Sequence, residues 1–340
     1  MRNPDKNRFL KAVVHQETGE IPFFELQVDI KIAGQILQRQ LLPHLLSFEL
    51  PMPDYVELNS RIGNDMIFFS HIWRLGRKEI KDAFGRIHYV DGIMKTPESL
   101  KDIWYPDIEA LKGRLEELIE LARPKGFGII CQVQTSPFVV ATAMGYQDYW
   151  LNTLTNPSFV HEFTKRIHEW TFKELELYFK YPIDGIKIGS AFVTNKGPMC
   201  SPEMLEEFEL SYSRQQIKVA KQAGKIIFLH IDGNIANMIP DLIEMGVDII
   251  NPIETCGGQQ DIYDIKRKYG GKIALCGNID INGVLLNGTV EEVKSDVIKH
   301  IETLASGGGY IVASSHDIHE LIPIDNFYAM RDAAHEYRFQ

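Results

Sequence analysis

The chain is predicted to be an α/β protein folded as a single (β/α)8 TIM barrel, and three observations carry that expectation. Short β-branched or aromatic runs recur along the 340 residues, and from residue 128 onward each is followed by a helical pattern and a turn signal. The runs cover 21–28, 66–70, 128–134, 185–190, 226–232, 248–253, 273–280 and 310–316. Eight parallel strands are the number that closes such a barrel. No Pro/Gly/Ser-rich linker interrupts the series, so residues 1–340 are read as one domain in place of the two that the length allows.

Helix boundaries follow the same grammar from unit to unit. Ser201 caps a helix with Pro202 at its first position and Glu203 in its first turn, and Gly224 ends it. Helices over 234–245, 261–269 and 289–306 stop at Gly246, at Gly270 with Gly271, and at Gly307 to Gly309. The triple glycine precedes the last strand and therefore lies on the floor of the barrel, where it reads as a helix cap and not as a phosphate cradle. One interval differs. Residues 72–94 alternate and turn at Asp82 to Gly85, which predicts an antiparallel hairpin inserted in a βα loop, with Arg74, Arg77, Lys78 and Lys81 on a solvated face.

Composition removes several classes of function. Thirty-six basic against 46 acidic residues, net −10, argue against binding nucleic acid or an anionic membrane. The uncharged run over 126–147 has membrane length but contains Gln132, Gln134, Ser136 and Pro137, so it reads as a buried strand, a turn and a helix. Cysteines at 131, 200, 256 and 276 form no Cys-x-x-Cys pair, and the charged amino terminus carries no secretory pattern. A cytoplasmic location is expected. Dinucleotide, Walker, nucleophile-elbow and His-Glu-x-x-His motifs are all missing.

Active sites of such barrels form where the strands end, so polar residues there are the informative ones. The period of two puts His230 and Asp232 on one face of their strand; the next strand ends on Glu254, the last on Ser314 and His316. Nitrogen and carboxylate donors converging there suit zinc or a harder divalent ion, or a metal-free acid/base site. Cys276, Asn278 and Asp280 share the face of another strand, with Asp280 also placed to start the turn at Asn282-Gly283.

These residues carry a family resemblance. The stretches His230-Ile231-Asp232-Gly233-Asn234, Leu242 to Asp248, Gly277-Asn278-Ile279-Asp280, and Gly308-Gly309-Tyr310-Ile311 leading to His316 resemble the uroporphyrinogen decarboxylase superfamily. Asp82-Ala83-Phe84-Gly85 and Ser201-Pro202-Glu203-Met204 match it upstream, so the resemblance spans nearly the whole chain. It implies a barrel of the uroporphyrinogen decarboxylase type and two chemistries: cofactor-free porphyrinogen decarboxylation, or zinc-dependent methyl transfer involving cobalamin on a separate corrinoid protein.

The decarboxylase branch implies an arginine-rich segment after the first strand, whereas no arginine occurs here between Arg8 and Arg39. The methyltransferase branch implies His-x-Cys on the fifth strand and a cysteine on the eighth; His230 matches, and the cysteine positions hold Asp232 and His316. The resemblance therefore favours a zinc site formed by His230, Glu254 and His316, with Asp232 as a further ligand or as a partner to an imidazole; all four are the catalytic candidates. Oxygen and nitrogen ligands raise Lewis acidity toward oxygen, so a methoxylated aromatic is the favoured methyl donor, in O-demethylation. Substrate binding is assigned to Glu25, Gln134, Ser190, Lys196, Asn278 and Tyr310. Phe24, Phe69, Phe138, Tyr146, Phe192 and Tyr310 are candidate ring contacts, and Lys187 and Lys196 candidate partners of a substrate carboxylate. The implied partner is a corrinoid protein, and a homodimer is compatible. A decarboxylase-like lyase, or a non-catalytic corrinoid- or tetrapyrrole-binding protein, is the alternative.

Overall fold

The computed structural model describes residues 2–190 and 192–339. Its strands are β1 (Met66–Phe69), β2 (Arg77–Lys81), β3 (Ile87–Gly92), β4 (Gly128–Val133), β5 (Gly185–Ser190), β6 (Val193–Thr194), β7 (Gly197–Pro198), β8 (Ile226–Ile231), β9 (Ile249–Asn251), β10 (Ala274–Cys276) and β11 (Tyr310–Ile311). Seven of them form one parallel sheet in the order β1-β4-β5-β8-β9-β10-β11. Residues 21–28 close it through parallel bridges from Phe23 to Val312 and from Val28 to Ile318, giving the barrel.

The 21–28 run is not the continuous strand its sequence predicts. On the β1 side polar side chains stand in for a ladder: Asn64 Oδ1 accepts from Glu25 N at 2.8 Å, and Asn64 Nδ2 donates to Glu25 O at 2.8 Å. Asp65 Oδ2 accepts from Phe23 N at 3.2 Å. A buried amide must find a partner, and here a side chain supplies it. The 273–280 and 310–316 runs are likewise shorter as strands, continuing past β10 and β11 only through the Ile279–Ser314 bridge.

Strands buried on both sides read as near-continuous apolar runs, and β1 is Met-Ile-Phe-Phe with every residue buried. One cluster of buried apolar side chains extends from Phe9 to Ala334. The helix begun at Ser201 matches expectation, with Ser201 Oγ accepting from Met204 N, but a π-helical turn at Glu206–Leu210 interrupts it before Ser211–Gln222. Asn234 does not start a helix; its Oδ1 accepts from Ala236 N in a local turn, and the helix begins at Ile239 with Pro240 in its first turn. Thr289 and Glu292 form a capping box for the Val290–Leu304 helix. Gly307, Gly308 and Gly309 follow that helix with φ of 73°, 72° and 71°, and Gly308 presses against the backbone of His15. A side chain there would meet both the left-handed backbone and its neighbour.

The uncharged 126–147 stretch is β4 followed by the Ser136–Met144 helix. No helix among the described residues is long and apolar enough to cross a membrane. The inserted hairpin is β2 paired antiparallel with β3, turned by Asp82 Oδ1, which accepts from Phe84 N and Arg86 N.

Candidate active site

His230 and Asp232 leave the carboxyl end of β8 on the same face, as the strand period requires, and His316 arrives from the segment after β11. Asp232 Oδ1 lies 3.5 Å from His230 Nε2 and 3.4 Å from His316 Nε2. One donor atom from each of the three falls within 4.8 Å of the others. Asp232 Oδ1 is buried with no hydrogen bond, and an oxygen so placed awaits a partner.

The tautomers follow from the neighbours. Asn251, the register partner of His230 on β9, donates through Nδ2 to Cys276 O at 3.2 Å, so its Oδ1 is free to accept. His230 Nδ1, 2.8 Å away, therefore carries the proton, and Nε2 presents a lone pair to Asp232. Burial, with Lys187 nearby, keeps this imidazole neutral. His316 is the reverse: Asp317 N donates to its Nδ1 at 2.7 Å, leaving the proton on Nε2, aimed at Asp232. The Asp232 carboxylate raises the proton affinity of that ring. Burial alone would push Asp232 up, but the His316 imidazole 3.4 Å away and the neighbouring His230 bring it below its ordinary range.

Glu254 stands outside this trio. Its Oε2 accepts from Gly233 N and its carbonyl from Gln260 Nε2 at 2.8 Å, so it fixes the turn that carries Asp232. Lys196 is exposed in the turn between β6 and β7, a turn tied to the residues after Asp232 by Asn234 N donating to Thr194 O at 2.9 Å. Asn278 follows Gly277, whose φ of 139° breaks the strand alternation; its side chain donates to Ile253 O at 2.6 Å and meets His300 Nε2 at 3.3 Å, facing the helix layer. Tyr310 opens β11 at the amino-terminal end of the barrel, buried on the floor beside Ala12 and Ile21, opposite the mouth. Gln134 lies at the mouth, donating to His71 O at 3.0 Å with its Oε1 buried and unpartnered. Ser190 stands beside Glu209, whose carboxyl burial pushes up to about 8. Of the aromatic candidates, Phe24, Phe69 and Phe192 are core residues, whereas Phe138 and Tyr146 remain half-exposed. Asp280 Oδ1 accepts from Asn282 N at 2.9 Å, as a turn initiator does.

Asn251 and Asp317 carry roles that the sequence reading missed. Asn251 becomes legible only once the β8–β9 register is known, and Asp317 only as the neighbour of His316. Lys187 is buried, pushed down to about 8 by that burial, and faces Asp317 and Asp232 while donating to Gln132 Oε1 at 3.3 Å.

Glu25 is enclosed beneath the trio. Its Oε1 accepts from Ser314 N at 2.6 Å, and Ser314 Oγ stands 2.6 Å from its Oε2 and against His316 O. One hydroxyl proton cannot serve two acceptors, so a protonated Glu25 donates to Ser314 Oγ, which donates to His316 O. Burial pushes this carboxyl up to about 8 from an ordinary 4.5. An acid raised in the folded state contributes stability that is complete below its unfolded value and is lost as pH rises toward 8. Glu25→Gln is therefore expected to flatten the fall in melting temperature between pH 5 and pH 8, measured by calorimetry; an unchanged slope would show Glu25 to be ionised already.

Residues 89–337 match the uroporphyrinogen decarboxylase (URO-D) family, and the chain belongs to it. A uroporphyrinogen decarboxylase of Legionella pneumophila is 29% identical over 160 residues, covering 46% of this chain and 44% of that protein. The methylcobamide:CoM methyltransferase MtaA of Methanosarcina barkeri is 22% identical over 186 residues, 51% of this chain and 53% of its own. In each the aligned stretch is about half the relative's length. Among solved structures, a methyltransferase from Methanosarcina mazei superposes with a TM-score of 0.76 over 98% of both chains at 16% identity, a likeness of fold.

Proposed function

We propose that this protein is a methyltransferase that moves a methyl group between a methoxylated aromatic compound, in O-demethylation, and the cobalamin of a partner corrinoid protein. The observation that carries the reading is the convergence of His230, Asp232 and His316 at the barrel mouth, in a chain similar over half its length to a methylcobamide-dependent methyltransferase.

The donor set fits a divalent ion with nitrogen and oxygen preference, since His230 Nε2 offers a lone pair and Asp232 Oδ1 is buried and unpartnered. Zinc, when bound, supplies Lewis acidity toward an ether oxygen. His230 and Asp232 would hold it, in place of the His230, Glu254 and His316 set expected from sequence. His316 would join them once its proton moves from Nε2 to Nδ1, which requires the Asp317 contact to loosen. Asn251 orients His230, Glu254 holds the turn under Asp232, and Lys187 offsets the carboxylates of Asp232 and Asp317.

Demethylation of a panel of methoxyarenes, with reduced cobalamin as acceptor and visible spectroscopy as readout, tests this. Exhaustive chelation is expected to abolish the reaction and zinc to restore it. Full activity after chelation would remove the metal from the mechanism.

A decarboxylase-like lyase is the second reading, favoured by the His316 Nε2 proton aimed at Asp232, the arrangement of a proton-donating pair. It predicts carbon dioxide release that is indifferent to chelators.

A further inference from the structure

Arg77 departs from the rest of its hairpin. Arg74 pairs with Glu79 at 3.0 Å and with Glu49 at 3.6 Å, while Lys78 and Lys81 stand in solvent as expected. Arg77 instead lays its guanidinium against two rings, with Cζ 6.0 Å from the centroid of Tyr89 and 5.8 Å from that of Phe138. Among the described residues it forms no salt bridge, because Glu79, the acid whose charge it feels most, is taken by Arg74. Its Nε is buried without a partner, and so is the hydroxyl of Tyr89. Tyr146 packs edge-on to Tyr89 at 6.3 Å and completes the enclosure.

A desolvated guanidinium without an anion is costly, and contact with ring faces offsets only part of that. The chain holds it there rigidly. Arg77 is the register partner of Gly92, and a Cβ on Gly92 would fall 2.2 Å from Gly145 N and 2.3 Å from Ala143 O. Met94 N donates to Ala143 O at 2.9 Å beside it. The hairpin base is thus pressed onto the Ser136–Met144 helix, whose first turn carries Phe138 and which starts just past the end of β4. The cluster stands on the β4–β5 side of the mouth. Glu209, whose charge reaches Tyr146, stands beside Ser190, one residue beyond the register partner of His230.

We propose that Arg77, framed by Tyr89, Phe138 and Tyr146, binds the carboxylate of an aromatic acid whose ring lies among those side chains. A planar fork with free donors, flanked by rings, is complementary to that ligand and to few others. The proposal deepens the methyl-transfer reading by naming its substrate class and takes the carboxylate partner from Lys196, which lies in solvent.

Binding of 4-methoxybenzoate and of the uncharged 4-methoxybenzyl alcohol to the full chain, followed by calorimetry without corrinoid or reductant, tests it. The wild type is expected to prefer the carboxylate by roughly tenfold to a hundredfold, the span of a charge-assisted hydrogen bond. Arg77→Met is expected to erase that preference while leaving the alcohol within about twofold. Arg77→Lys, which keeps charge but loses the fork, is expected to retain part of it and carries the test if Arg77→Met does not fold. No preference in the wild type, no binding of either compound, or an undiminished preference in the folded variants overturns the subsite. Preference without any methyl transfer would sink the reaction and keep the subsite; transfer indifferent to Arg77 would do the opposite.

Discussion

Replacing His230 by alanine is expected to abolish metal retention and to lower methyl transfer by at least about a hundredfold, with the far-ultraviolet spectrum unchanged. His230 is the one imidazole of the trio whose free lone pair the structure fixes, because Asn251 Oδ1 takes its Nδ1 proton. Its removal leaves Asp232 with only the protonated face of His316. Metal analysis after gel filtration, with activity measured at saturating zinc, separates lost affinity from lost chemistry. Stoichiometric zinc in His230→Ala would move the metal elsewhere.

The largest loss of stability is expected far from the mouth, at Asp65. This carboxylate is fully buried and accepts from Arg8 Nε at 3.0 Å, Arg8 Nη2 at 2.6 Å, Asp5 N at 3.1 Å and Phe23 N at 3.2 Å. It ties the amino-terminal helix and the closing 21–28 segment to the start of β1. Asp65→Ala takes from buried Arg8 its two-pronged partner, leaving it Glu20 alone among the carboxylates, and strands two backbone donors, at a cost of about 3–5 kcal/mol. At this chain length that lowers the melting temperature by roughly 5 °C. The double variant Arg8→Met, Asp65→Leu is expected to recover part of the loss, since the buried Arg8 charge goes with its partner, although Arg2, 3.5 Å from Asp65, still loses that carboxylate. If Asp65→Ala alone melts with the wild type, the pair does not hold the barrel closed.

Much of the architecture was legible because the strands of the seven-stranded sheet are mostly apolar along their length and several helices carry their own start and stop chemistry. Thr289 with Glu292, Asp261, Ser201 with Pro202, and the triple glycine at 307–309 all sit where local rules place them. The hairpin turn at Asp82 is of the same kind. The opening strand was less legible, since on its β1 side the amides of Phe23 and Glu25 go to Asp65 and Asn64 side chains that no periodicity reveals.

In the site, His230 and Asp232 were readable because their spacing follows from the pleat, and His316 because it ends the last run. Glu254, Asn278 and Tyr310 shared the same outward evidence and went elsewhere. Glu254 turned to a backbone amide, Asn278 to the helix layer past a glycine of positive φ, and Tyr310 to the wrong end of its strand. Arg77 looked like one more exposed cation among four.

The order of strands and helices, the family, and the pairing of His230 with Asp232 are written in residues near one another along the chain, where spacing and capping act. The distances within the trio, the tautomers set by Asn251 and Asp317, the protonated Glu25 and the unpaired Arg77 depend on side chains that meet across strand registers and an inserted hairpin. Such contacts are set by packing between distant segments, and the energy of a buried donor or acceptor is defined only once its neighbours are in place.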